Sequence, residues 1–215
     1  MVETLFNRQQ PAGAAPVAAF DFDGTLTTQD SFLAFVAWRA GPARFAIGLA
    51  TLAPAALGYL IGRDRGRLKA ALVRRFLKGA RRAALEADAE AFAERHASGL
   101  LRDDALEAWR GWRARGARLL IVTASPEPVV APFARRLGAD LLIGTRLAFD
   151  AGDRATGDLD GPNCRGAEKA RRLRAALGQE VRLSAAYGDT AGDREMLALA
   201  EEAGMKVFKG KGRRS

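Results

Sequence analysis

"VAAFDFDGTLTTQD", residues 17–30, is the stretch on which the reading of this chain turns. A short apolar run is followed by Asp21 and Asp23, one residue apart, and then by Gly24 and Thr25. A run so short and apolar, ended by Asp-Gly, reads as a buried strand over 17–22 that enters a turn. One carboxylate at that place could cap a helix. Two, facing a glycine turn, point to a cation, a reactive phosphate, or both.

Outward from this stretch the chain changes character twice. From about Asp30 to Gly116 helical periodicity dominates, with room for four or five helices and no convincing strand. Alternation then begins. "ARLLIVTAS" (117–125) predicts a strand, "PEPVVAPFARRLG" (126–138) a helix entered through prolines, and "ADLLIGTRLAF" (139–149) a strand. "DAGDRATGDLDG" (150–161) predicts a hairpin and "GAEKARRLRAALG" (166–178) a helix. "VRLSAAYGD" (181–189) predicts a strand, "DREMLALAEEAG" (193–204) a helix, and "MKVF" (205–208) a last short strand. Strand-helix alternation implies an α/β fold, a mostly parallel, Rossmann-like sheet covered on both faces. Three units are expected: a mobile tail over 1–16, a core made of 17–29 and 103–215, and an inserted helical cap over 30–102.

Composition bounds the chemistry. The chain has 215 residues, 48% of them hydrophobic, enough for a real core. Its net charge is +9, and only six of its 34 basic residues are Lys. That bias is either compositional or an attraction to anionic lipid, nucleic acid or phosphorylated substrate, and charge alone does not decide. Nucleic acid is not expected, because aromatic residues make up only 7% and no groove-reading motif is visible. Cys164 is the single cysteine, which points to a reducing compartment and a cytoplasmic protein. The N-terminal segment has an early acid and no long apolar centre, so it does not read as a signal peptide. His96 is the single histidine and reads as a surface helix residue. One His and one Cys exclude ordinary Cys/His zinc sites and argue against a Ser-His-Asp triad. Carboxylates, hydroxyls and Lys must carry any chemistry.

Ligands of parallel sheets bind at the carboxyl ends of strands. Asp21, Asp23, Thr123 and Asp189 each follow an apolar strand; Asp193 and Lys169 begin or line helices. Brought together, the carboxylates would repel and tend to stay protonated. A hard divalent cation removes that penalty, and Mg²⁺ suits a few carboxylates plus phosphate oxygens. With the Lys169 charge and the Thr123 hydroxyl, the set can recognise a phosphoryl group and stabilise its transfer. Asp193 has a second reading as a helix cap.

The four motifs, in order, resemble those of the haloacid dehalogenase superfamily in its phosphatase branch. They stand here as Asp21-Phe22-Asp23-Gly24-Thr25, Thr123 in "LLIVTAS", Lys169 in "CRGAEK", and Asp189 with Asp193 in "YGDTAGD". The resemblance implies that Asp21 is the nucleophile of an aspartyl-phosphate and that Asp23 is the acid and base. It implies Mg²⁺ held by Asp21, the Asp23 backbone carbonyl and Asp189, with Asp193 in support. Gly24, Thr25, Thr123, Ala124 and Lys169 would bind the phosphoryl group.

The insert after the first motif resembles subfamily IB, which includes the phosphoserine phosphatases. These usually carry Glu nine residues after the nucleophile, to meet the substrate amino group; here Asp30 stands there, and Gly-Gly after the second motif is absent. The chain is more similar to the phosphatidylglycerophosphatase C family. It shares Asp30, the Ser-Pro-x-Pro turn from Ser125 to Pro128, and an apolar cap segment, "FAIGLATLAPAALGYLIG" (45–62). The substrate so implied is a phosphorylated small molecule or a phospholipid head group. A basic run follows the apolar segment, which is either cap interior or an interfacial segment touching the inner face of an anionic membrane. The topology argues against a single span, which would part Asp21 from Thr123, Lys169 and Asp189.

Overall fold

A computed structural model describes residues 15–52 and 65–212, with side chains from 68 onward in the second stretch. Most of the expected tail and residues 53–62 of the apolar segment lie outside the described residues. The strands are β1 (Val17–Phe20), β2 (Arg118–Pro126), β3 (Leu141–Thr145), β4 (Leu147–Phe149), β5 (Ala155–Leu159), β6 (Leu183–Gly188) and β7 (Ala200–Met205). The helices are α1 (Ser31–Ala40), α2 (Pro42–Thr51), α3 (Arg65–Leu77), α4 (Arg82–Leu100), α5 (Asp103–Ala114), α6 (Glu127–Arg136), α7 (Ala167–Leu177) and α8 (Arg194–Leu197). Five strands form one parallel sheet in the order β3-β2-β1-β6-β7. This is the α/β architecture that the alternation implied.

β1 lies at the centre because both of its faces are apolar. Ala18 and Phe20 point into one buried cluster with Leu119, Ile121 and Ala185. Val17 and Ala19 point into the other with Leu120, Val122, Leu183 and Ala186. That period of two buries both faces, as a central parallel strand requires. The first cluster runs on without a break into the insert. Phe22 and Phe92 both meet Phe133 of α6, at centroid distances of 5.4 and 6.1 Å, and Phe92 of α4 meets Phe35 of α1 at 5.5 Å. Helix α4 therefore packs directly on the core helix α6, and Glu90 pairs across that seam with Arg135 and Arg136.

The structure corrects the sequence reading at four places. β1 ends at Phe20, because a turn over Phe22–Leu26 begins at once, with Gly24 at φ 82°. The run 139–149 is two strands: beyond Thr145 the chain leaves the main sheet, and β4 pairs antiparallel with β5. The expected helix over 193–204 is one turn, α8, and 200–205 is an edge strand; the last strand is therefore not 205–208. Sheet pairing with β6 overrides the helical preference of "LAEEAG", and Glu201 and Glu202 stay exposed on that edge, as charged residues do on edge strands. His96, finally, is half-buried, its ring 4.9 Å from that of Phe92. The aromatic cluster of the insert extends far enough to cover it.

The β4–β5 hairpin props the insert from below. Gly79 N–H donates to the Ala155 carbonyl at 2.7 Å, and Ala155 N–H to the Ala80 carbonyl at 2.8 Å. Gly157, at φ 92°, lets β5 approach the Arg74 backbone of α3. This fixes where α3 lies over the sheet edge.

The β7 assignment has a direct check in amide hydrogen exchange. Along 200–205 alternate amides, those facing β6, should exchange slowly and the others fast. Protection of consecutive amides would restore the helix.

Candidate active site

The carboxyl ends of β1, β2 and β6 converge, and Lys169 of α7 reaches into the middle of them. Its ammonium donates to Asp21 Oδ1 at 2.5 Å, to Asp193 Oδ1 at 2.7 Å and to the Val122 carbonyl at 2.6 Å. All three of its N–H groups are thus used. The residue is 1% exposed, which is tolerable for a charge only because it is fully paired. Asp21 follows β1 directly, and its own N–H donates to the Tyr187 carbonyl of β6 at 2.8 Å.

Asp21, Asp189 and Asp193 each offer a ligand atom within 4.8 Å of the others. Their roles differ. Asp193 Oδ2 accepts from Thr190 N–H at 2.9 Å, Thr190 Oγ at 3.0 Å and Asp189 N–H at 3.2 Å. Both Asp193 oxygens are therefore engaged, so this residue orders Lys169 and the loop after β6, and it also completes a capping box with Thr190. Asp189 Oδ1 is the reverse case: buried, with no hydrogen-bond partner among the described residues. An orphaned carboxylate oxygen beside Asp21 fits a hard cation well. Asp21, Asp189 and the Asp23 carbonyl would hold it, with Asp193 behind them. Gly24 is required at this point, because a Cβ there would overlap the Asp189 carboxylate.

Electrostatics agrees with that division. Burial, opposed by Lys169, pushes the Asp21 carboxyl up to about 7. Burial, then Asp193, also raises Asp189. Burial works against Asp193 as well, but Lys169 and the Thr190 donors hold it below the usual carboxylate range. Lys169 is held above its ordinary value: burial opposes the charge, and Asp21 and Asp193 outweigh it. A divalent cation beside these carboxylates would draw the pKa of both Asp21 and Asp189 back down.

A cavity of about 240 Å³ opens over this cluster. Asp21, Asp23, Ala124, Lys169, Asp189 and Asp193 line it. Thr123 is fully buried beneath; its hydroxyl accepts from Ser125 N–H at 3.0 Å and so shapes the turn. Thr25 donates to Asp21 Oδ2 at 3.3 Å and is likewise buried. Asp30 stands at the mouth, where it caps α1 by accepting from Leu33 N–H at 2.8 Å. Its surface stays exposed, yet burial of the carboxyl by neighbouring groups, then the Asp23 charge, raises its pKa.

Sequence reasoning missed Ser125, Lys69, Asn163, Arg165 and Thr190 as site residues. Ser125 donates to Asp23 Oδ2, and the others join the cavity wall with Phe32, Leu68 and Leu72. Arg165 had a signal, four residues before Lys169 in the same motif. Lys69 had none: it is one cation in a basic run until the fold brings α3 over the sheet.

The family model of haloacid dehalogenase-like hydrolases matches residues 18–198. The chain belongs to that family of hydrolases. Protein CicA of Caulobacter vibrioides is 61% identical over 195 residues, covering 91% of this chain and 87% of that protein. The structure of a Bordetella pertussis Tohama I protein of unknown function is similar at a TM-score of 0.73 and 25% identity, over 88% of each chain. A phosphoserine phosphatase solved as a phospho-aspartyl intermediate analogue shares the fold, at a TM-score of 0.59 and 22% identity over 88% of this chain and 85% of that one.

Replacing Lys169 by Met tests the charge cluster. In EDTA at about pH 8 the variant should lose about 3–5 kcal/mol of stability, since two buried carboxylates are left without a counter-charge. Asp21, whose pKa is already raised to about 7, goes higher still without Lys169 and is protonated at about pH 5, so the loss there should be smaller. Urea unfolding at the two pH values measures both.

Proposed function

We propose that this chain is a Mg²⁺-dependent phosphomonoesterase that works through a phosphorylated Asp21. The observation that carries the reading is the pairing of Asp21 with Lys169 beside the orphaned Asp189 oxygen, at the floor of a cavity that Asp23 also lines. The cation would screen the phosphoryl oxygens and keep Asp21 ionised.

In the first step an Asp21 oxygen attacks phosphorus. The new O–P bond forms as the ester P–O bond breaks, and the Asp23 carboxyl gives its proton to the leaving oxygen. In the second, water attacks the phosphorylated Asp21 and Asp23 takes the proton back. Phosphate leaves and the Asp21 carboxylate is regenerated. Lys169 neutralises charge throughout. The helical segment 30–102 acts as the cap that excludes water, through the apolar wall of Phe32, Leu68 and Leu72.

The cavity is small, which favours a phosphorylated small molecule such as phosphoserine, or the head group alone of a larger one. A lipid phosphate such as phosphatidylglycerophosphate is the second reading. It is favoured by α2, which starts the apolar segment and leaves Ile47 61% and Leu49 41% exposed. Among the described residues no helix is long and apolar enough to cross a membrane.

With Mg²⁺ the protein should hydrolyse small phosphomonoesters, and EDTA should stop it. Asp21→Asn should lower kcat by at least about 10³-fold, the scale on which nucleophile loss acts. Full activity in that variant would sink the mechanism. A panel of phosphorylated metabolites and short-chain phosphatidylglycerophosphate, with flotation on anionic vesicles, separates the two substrate readings.

A further inference from the structure

The two-step reading makes one carboxyl do two jobs, so the position of Asp23 matters at two moments. Yet Asp23 sits in a turn and is only half-buried. What holds it comes from two sides. Its Oδ1 accepts from Ser31 N–H, the first residue of α1, at 2.7 Å. Its Oδ2 accepts from the Ser125 hydroxyl, at the end of β2. One oxygen is thus tied to the helical insert and the other to the sheet.

Lys69 makes the seat directional. From α3 its ammonium donates to the Ala124 carbonyl at 2.8 Å and, in a longer contact, to Ser125 Oγ at 3.4 Å. A hydroxyl has one proton and two lone pairs. With an ammonium facing its lone pairs, Ser125 must spend its proton on Asp23. It then acts toward Asp23 as a donor and holds Oδ2 in one place from the sheet side.

We propose that Ser125 is the positioning residue for Asp23, and that Lys69 sets the direction of the Ser125 hydrogen bond, so that the seat of α3 over the sheet orients the proton donor. The inference rests on the phosphatase reading above and deepens it. It concerns how the first step is made to work on poor leaving groups. An alkoxide needs a proton as it departs; a nitrophenolate does not.

The experiment is rapid-quench release of the leaving alcohol from glycerol 2-phosphate and from p-nitrophenyl phosphate, with Mg²⁺. Ser125→Ala should slow release from the alkyl ester by about 10–100-fold and from the aryl ester by less than about 3-fold, part of the range general acid catalysis spans. KM should stay within about 3-fold for both, so the loss falls on kcat. Ser125→Thr, which keeps the hydroxyl, should recover most of it. Lys69→Met should show the same selectivity at smaller size and serves if Ser125→Ala does not fold. Urea midpoints of Ser125→Ala, Asp23→Asn and the double variant should be non-additive, as for groups in contact. Equal slowing of both esters, no slowing, or additive midpoints would overturn the inference and leave the phosphatase reading standing. A wild type that releases neither alcohol would overturn the phosphatase reading, and this inference with it.

Discussion

The structure depends on one buried ammonium. Lys169 sits where a charge is expensive, and it is stable there only because three acceptors from three parts of the chain surround it. Asp21 comes from the end of β1, the Val122 carbonyl from β2, and Asp193 from the turn after β6. If any one of these strand ends drew back, an N–H or a carboxylate would be left unpaired in the interior. The sheet order that puts β1 between β2 and β6 is therefore tied to the chemistry. The charges proposed to meet phosphate also pin the three strands at their carboxyl ends.

The same arrangement leaves one acid unanswered. Lys169 pairs with Asp193 and with one oxygen of Asp21, but Asp189 Oδ1 has no hydrogen-bond partner among the described residues. That asymmetry separates two acids which the motif presents as a pair. Asp193 is in direct contact with Lys169, whereas Asp189 keeps a buried oxygen without a hydrogen-bond partner among the described residues. The family match spans core and insert alike, residues 18–198, and the 61% identity to Caulobacter CicA extends over most of the chain. Within the insert, α1 and α3 bring Phe32, Lys69, Leu68 and Leu72 to the cavity wall.

That insert is not a loosely tethered lid along its whole length. Helix α4 is welded to α6 by Phe92, Phe133 and the Glu90 ion pairs. The parts that touch the cavity are α1 and α3, and both reach it through polar contacts on the Asp23–Ser125 seat. Both are also packed: Phe35 and Val36 of α1 and Leu72, Val73 and Leu77 of α3 lie in the first buried cluster.

Much of this was legible in the sequence. An apolar run ended by Asp-x-Asp-Gly-Thr needs no tertiary information to be read as a strand delivering two carboxylates, because period and burial are local properties. The order of the motifs gave the α/β class and brought Asp21, Thr123, Lys169 and Asp189 to one edge, because parallel strands all end on the same side. What the sequence alone did not decide was which contacts each group would make. "LAEEAG" reads as helix until β6 offers it an edge to pair with, and Lys69 is indistinguishable from its basic neighbours until α3 is laid over β2. Ser125 read as part of a turn until its hydroxyl met Asp23. Local pattern determined where the acids stand; long-range packing decided which of them are neutralised, which is left open, and what holds Asp23 in place.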